Sequence, residues 1–120
     1  MIKQKKSITL PKLLKKAQTV FNAWIRDRDK YSGCISCGRE VEQAGHYRSQ
    51  GQFSSLRFNE MNVNGQCVRC NHFLSGNLIE YRKGLVERYG EKKVLFLESV
   101  QGFKKWDRVT LLGIIDTYKL

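Results

Sequence analysis

CVRCNHFLSGN, residues 67–77, places two cysteines two residues apart and follows them directly with an asparagine and one of the chain's two histidines. A second pair, CISC at 34–37, lies upstream, and the other histidine falls between the pairs in EQAGHYRSQG, residues 42–51. Two residues between cysteines let both sulfurs of one tight turn face a single ion. Two such turns complete a tetrahedral shell that suits Zn²⁺ and excludes water. The spacing predicts that Cys34, Cys37, Cys67 and Cys70 hold one structural zinc, which uses every cysteine of the chain. Redox-active pairs are the rival, but neither pair sits in a thioredoxin-like βαβ pattern. A closed four-thiolate shell staples the fold and by itself confers no activity. Metal binding of this kind contributes folding free energy on the order of 10 kcal/mol. That is enough to organise the 29 residues between the pairs.

Those residues need an organiser. Residues 31–70 lack helical periodicity and are rich in Gly, Ser, Asn and Gln, so short strands and loops are expected, with QFSSLRFNEMN (52–62) an ordered loop. Helical patterning stands on both sides. Upstream, Leu13, Leu14, Ala17, Val20, Phe21, Trp24 and Ile25 recur at three- and four-residue steps, with Pro11 acceptable in a first turn. Downstream, Leu78, Tyr81, Leu85 and Tyr89 share a stripe ending at Gly90, a normal helix stop. A short segment around Val94–Leu97 follows. A last helix begins near Asp107 and is expected to bury Leu111, Leu112, Ile115 and Tyr118. Residues 1–8 read as a basic flexible arm. Residues 9–120 read as one domain, with a metal core at about 31–90 and C-terminal helices over 91–120.

The 120 residues carry a formal charge of +11, and a densely anionic partner, nucleic acid above all, is the natural reading. The charge is uneven: residues 1–30 hold nine Lys or Arg against two Asp, whereas 31–60 balance at three against three. The basic surface thus flanks the cysteine region as a phosphate grip would. Lys12, Lys15 and Lys16 fall off the apolar stripe of the first helix, either as a solvated face or as a DNA contact. No apolar run approaches the ~20 residues a bilayer span requires, so no membrane is expected. The N-terminus lacks the apolar core and cleavage site of a secretion signal, so a cytoplasmic protein is expected, where disulfides are rare and paired cysteines usually bind metal.

The order of these pieces resembles the ββα-metal, or His-Asn-His (HNH), nucleases of the zinc-stapled kind. His46 lies on the enclosed hairpin, Asn62 stands five residues before Cys67, and Asn71 directly follows Cys70. The resemblance implies an α+β fold with a small zinc-stapled ββα-metal core and flanking α-helices. Carried over position by position, it makes His46 the general base, Asn71 a ligand of a catalytic Mg²⁺ or Mn²⁺, and Asn62 the residue fixing the loop that holds His46. A narrower resemblance is to the NinG (Rap) recombination nucleases of lambdoid phages. It rests on FNAWIRDRD, then CISCG, AGHY, LRFNE.N, QC..CN and SGN..EY, in order, from about Phe21 to Gly90. It implies an endonuclease, encoded by a phage or prophage and working in the bacterial cytoplasm, that acts on branched DNA such as Holliday junctions.

One position departs from the HNH pattern: the acidic or histidine ligand that often precedes the base is here Gly45. Either Glu42, Gln43, Glu60 or Glu80 completes the shell, or His46 itself binds the ion and another group is the base. His72 reads as a bystander on another face. Asn77 and Glu80 either assist the ion or serve as helix cap and surface acid. Arg48, Arg57 and Arg69 are candidates for holding phosphates, as arginine often does, or are ordinary surface residues. The rival function is a non-catalytic DNA- or RNA-binding zinc module; a protein-interaction adaptor fits the charge less well. Symmetric junction cleavage would call for a homodimer, for which Phe103, Trp106 and the last helix are candidate interface elements.

Overall fold

A computed structural model describes residues 8–120; most of the expected basic arm lies outside the described residues. Among the described residues, four α-helices accompany a two-stranded ribbon: α1 (Leu10–Asp29), β1 (Gln43–His46), β2 (Val63–Gln66), α2 (Leu78–Tyr89), α3 (Glu91–Ser99) and α4 (Arg108–Tyr118). Among the described residues, no helix is long and apolar enough to cross a membrane.

The stripe of α1 buries Leu13, Ala17, Phe21 and Ile25 completely or nearly so. Pro11 sits in its first turn, where its missing N–H costs nothing, and Arg26 and Arg28 favour its C-terminal dipole. Helix α4 packs along this stripe, with the Tyr118 ring set edge-on against Phe21 and Trp24 at 4.7 and 5.0 Å between centroids. Its start is fixed by Asp107, whose Oδ1 accepts the Thr110 N–H at 2.7 Å. Leu112 is not buried as the stripe suggested but is half exposed. Residues 111, 114, 115 and 118 share the inward face, and position 112 lies about 100° around the helix from it.

The strands pair antiparallel, with Gln43 opposite Gln66, Ala44 opposite Gly65, Gly45 opposite Asn64 and His46 opposite Val63. Side-chain alternation gives the ribbon two different faces. Ala44 and Val63 join the α1–α4 core with Phe58. The opposite, amide-rich face meets α2, where fully buried Tyr81 donates to Gly45 O at 2.7 Å and accepts from Asn64 Nδ2 at 3.2 Å. A second core gathers Tyr81 and Leu85 of α2, Val94 and Leu97 of α3, and Ile35 and Leu56 of the loops. The segment around Val94–Leu97 is thus a full helix, separated from α2 by Gly90. Leu78, expected on the buried stripe of α2, is 46% exposed.

Asp29 ties these layers together. Its carboxylate accepts Arg28 Nε and Nη2 at 2.8 and 2.9 Å, the Gly65 N–H at 2.7 Å and Arg88 Nη1 at 3.3 Å. One buried group therefore links the end of α1, strand β2 and helix α2. Burial works against its charge, but the Arg28 and Gly65 hydrogen bonds and the Arg28 and Arg88 charges hold its pKa below the usual aspartate value.

Candidate metal centre and adjoining cleft

The ribbon register brings the two cysteine turns together. The Sγ atoms of Cys34, Cys37, Cys67 and Cys70 all lie within 4.8 Å of one another, and Cys37 and Cys67 are 3.6 Å apart. Tetrahedral zinc with bonds of about 2.3 Å needs sulfurs roughly 3.8 Å apart. The four cysteines are free thiols and three are buried, so donor type, number and spacing all fit one zinc ion. The first turn depends on Gly33, whose φ of +81° is left-handed and whose Cβ, if present, would lie 2.7 Å from Gly38 O. At the second turn Cys70 N–H points to Cys67 Sγ at 3.4 Å and Asn77 Nδ2 to Cys70 Sγ at 3.5 Å, donors that would steady thiolate charge.

Asn71 does not start a long helix. It lies in a single π-helical turn, Arg69–Phe73, closed by a left-handed run at Ser75, Gly76 and Asn77. That reversal points Gly76 O inward, where it accepts Gln66 Nε2 at 2.8 Å. Asn77 precedes α2 with φ of 45° and makes no side-chain cap; its amide serves Cys70 instead.

His46, at the end of β1, shares with Asn71 a cleft of about 360 Å³ that is also lined by Gln18, Asn22, Ala44, Ser49, Gln50, Ser75 and Gly76. The ring's Nε2 stands 3.0 Å from Arg57 O. A carbonyl only accepts, so Nε2 carries the proton and Nδ1 keeps the free lone pair. Burial pushes the imidazole pKa down from its ordinary value. The Arg57 carbonyl opposes that shift and the Arg57 charge adds to it, so the ring is neutral at pH 7.

Asn62 is fully buried and clasps the loop after His46: its Oδ1 accepts Arg48 N–H at 2.9 Å, and its Nδ2 donates to Arg48 O and Leu56 O at 3.0 and 3.2 Å. Asn71 Nδ2 donates to Gln43 Oε1 at 2.8 Å. The three carboxylates considered for the position before the base stand elsewhere. Glu42 accepts the Val68 N–H, Glu60 accepts the Tyr118 hydroxyl, and Glu80 pairs with Lys83 beside a separate cavity of about 750 Å³ behind Cys34 and Cys37. None of them lines the His46–Asn71 cleft.

The candidate phosphate-binding residues divide. Arg48 is occupied internally: Nη1 donates to Leu97 O and Val100 O, and the guanidinium lies 3.6 Å from the Phe53 ring centroid. Arg57 is partly buried, which pushes its pKa down. Arg69, Lys12, Lys15 and Lys16 are exposed. Lys15 stands one turn before Gln18 on the same side of α1, so this basic face leads to the cleft. His72 is exposed and packs edge-on against Phe73, away from the cleft lining. Gln18, Asn22, Gln66 and Tyr81 were not singled out as site residues from sequence. Tyr81, Asn22 and Gln66 lie within the motifs SGN..EY, FNAWIRDRD and QC..CN; Gln18, a polar residue on the flank of an apolar stripe, carries no such signal.

Fold and site together define a small mixed helix-and-ribbon chain whose four clustered cysteines can hold zinc. The family model "NinG: Bacteriophage Lambda NinG protein" matches residues 1–120. Protein ninG of Escherichia phage lambda is 45% identical over 96 residues, covering 78% of this chain and 47% of that protein. Protein ninG of Salmonella phage P22 is also 45% identical over the same shares, and that of Escherichia phage 933W is 44% identical over 78% and 48%. The chain belongs to the NinG family. It spans about half the length of the curated relatives it matches. No solved structure matches it.

Proposed function

We propose that this chain is the metal-dependent nuclease domain of a phage recombination protein, cutting phosphodiester bonds in branched DNA from an HNH-like, ββα-metal core. The observation that carries the reading is the convergence of His46 and Asn71 on one cleft directly beside the four-thiolate cluster. The reading takes β1, β2 and the π-helical turn as the ββα unit, its last member reduced to one turn.

The residues divide the work. His46 takes the proton of the attacking water on Nδ1, the nitrogen left free by the Arg57 carbonyl. Asn62 holds the loop that supplies that carbonyl side of the site, and Tyr81 fixes the backbone at Gly45. Asn71 offers Oδ1 to a divalent ion, its Nδ2 being committed to Gln43. Mg²⁺ or Mn²⁺, hard ions that prefer oxygen ligands, would supply stabilisation of the charge that develops on the phosphate and leaving oxygen. Lys12, Lys15, Lys16 and Arg69 grip the DNA backbone without reading sequence.

The test uses zinc-loaded protein with a four-way junction and a matched linear duplex, with and without added Mg²⁺ or Mn²⁺. Metal-dependent nicking of the junction should fall about 10²–10⁴-fold in His46→Ala, the usual contribution of general acid–base catalysis. DNA binding with no cleavage under either metal would favour a binding module instead.

A further inference from the structure

We propose that Gln66 joins Asn71 as an oxygen ligand of the divalent ion, reaching from β2 into the space that Gly45 leaves open; this rests on the nuclease reading only for what the ion does. Gln66 stands opposite Gln43 across the ribbon and is fully buried. Its Nε2 is fixed by two acceptors, Gly76 O at 2.8 Å and Ser36 Oγ at 2.9 Å. Its Oε1 is therefore aimed the other way, and that oxygen is buried without a hydrogen-bond partner.

What Oε1 faces is the backbone of Gly45. A side chain there would put its Cβ 1.8 Å from Gln66 Oε1 and 2.7 Å from Asn71 Oδ1. The first distance is far inside van der Waals contact, so the glycine is required for the close approach of the glutamine rather than for a special backbone angle. The second shows that the Asn71 oxygen turns to the same spot. Laid end to end, the two distances bound the separation of the oxygens at a span that one cation bridges with bonds of about 2.0–2.6 Å.

Both atoms are pure acceptors, and their orientations are set by the acceptors that hold the amide nitrogens behind them: Gly76 O and Ser36 Oγ for Gln66, Gln43 Oε1 for Asn71. A buried Gln66 oxygen without a donor, with the Asn71 oxygen turned to the same spot, is an unfavourable arrangement that a cation resolves. The chemistry selects a hard, oxygen-preferring ion over a soft one. In this chain a neutral amide from the neighbouring strand takes the place of the side chain before the base. With two neutral ligands, the shell draws its negative charge from the phosphate of the substrate.

The experiment reads Mn²⁺ binding directly, by electron paramagnetic resonance titration of zinc-loaded protein with Mn²⁺ alone. Gln66→Met and Gly45→Ala should each weaken Mn²⁺ binding about tenfold or more with zinc content unchanged, and Gln66→Glu should tighten it by adding charge. Because buried substitutions can unfold the chain, the wild type is also followed by nuclear magnetic resonance. Low Mn²⁺ should broaden the side-chain amides of Gln66 and Asn71 before others. Unchanged broadening at Gln66, or equal Mn²⁺ affinity in a folded Gln66→Met, overturns the assignment and leaves an amide clasp with Asn71 turned to donate to Gln66. Mn²⁺ held as described with no DNA cleavage keeps the ligand set and removes the nuclease; cleavage with Mn²⁺ affinity indifferent to Gln66 does the reverse.

Discussion

Asp29→Asn keeps the size of the side chain and removes its charge. The Gly65 N–H retains an acceptor, but Arg28 and Arg88 lose the anion they share. Breaking a buried ion pair by removing one partner costs about 3–5 kcal/mol. The Asp29 side chain is only 3% exposed, whereas those of Arg28 and Arg88 keep 24% and 25%, so water screens part of the loss and the lower end applies. About 2–3 kcal/mol follows, between about thirtyfold and about 160-fold in the folded-to-unfolded ratio and a large share of a typical 5–15 kcal/mol. Urea unfolding at fixed free zinc measures it, the zinc being held constant because an ion that favours the folded chain shifts the apparent stability. Arg88→Met should lose less, since Arg28 remains on the carboxylate. A change below about 0.5 kcal/mol in Asp29→Asn, the range of ordinary surface substitutions, would refute the claim that this carboxylate ties α1, β2 and α2 together.

The same group sets a pH dependence. Its folded pKa lies below the unfolded value of 3.8, so its contribution is fully present above that value and is lost as pH falls through the folded pKa. The stability gap between wild type and Asp29→Asn should stay flat from pH 7 to pH 5, by denaturant titration at each pH. Cys67→Ser should abolish stoichiometric zinc and unfold the chain, read by metal analysis and circular dichroism; a folded, zinc-loaded variant would refute the four-thiolate centre. Asn62→Ala leaves the half-buried Arg48 N–H without its acceptor and should cost about 1–3 kcal/mol, measured by thermal melting. Replacing Lys12, Lys15 and Lys16 together by Gln should lower the salt dependence of DNA affinity by a slope of about 2–3, the count of lost phosphate contacts, in binding titrations across salt concentrations.

What the sequence by itself determined was whatever depends on short spacing. Two C-x2-C turns mark a cluster that can hold zinc because two intervening residues place both sulfurs on one side. The stripe of α1 and the cap at Asp107 follow from local geometry in the same way, and the order of motifs around His46 was enough to indicate the family. The tertiary structure decided the rest, because it depends on which residues the ribbon register sets face to face. Glu42, Glu60 and Glu80 are as close in sequence to the motifs as Gln66 is, yet they point to a backbone amide, a tyrosine and a lysine. Leu112 and Leu78 look like core in a periodic reading but fall just outside the faces that α1 and the second core cover. Gly45 reads as a missing ligand along the chain. Across the ribbon it is the gap that admits the Gln66 oxygen, since strand pairing brings residue 66 within reach of 45 while sequence separation conceals it.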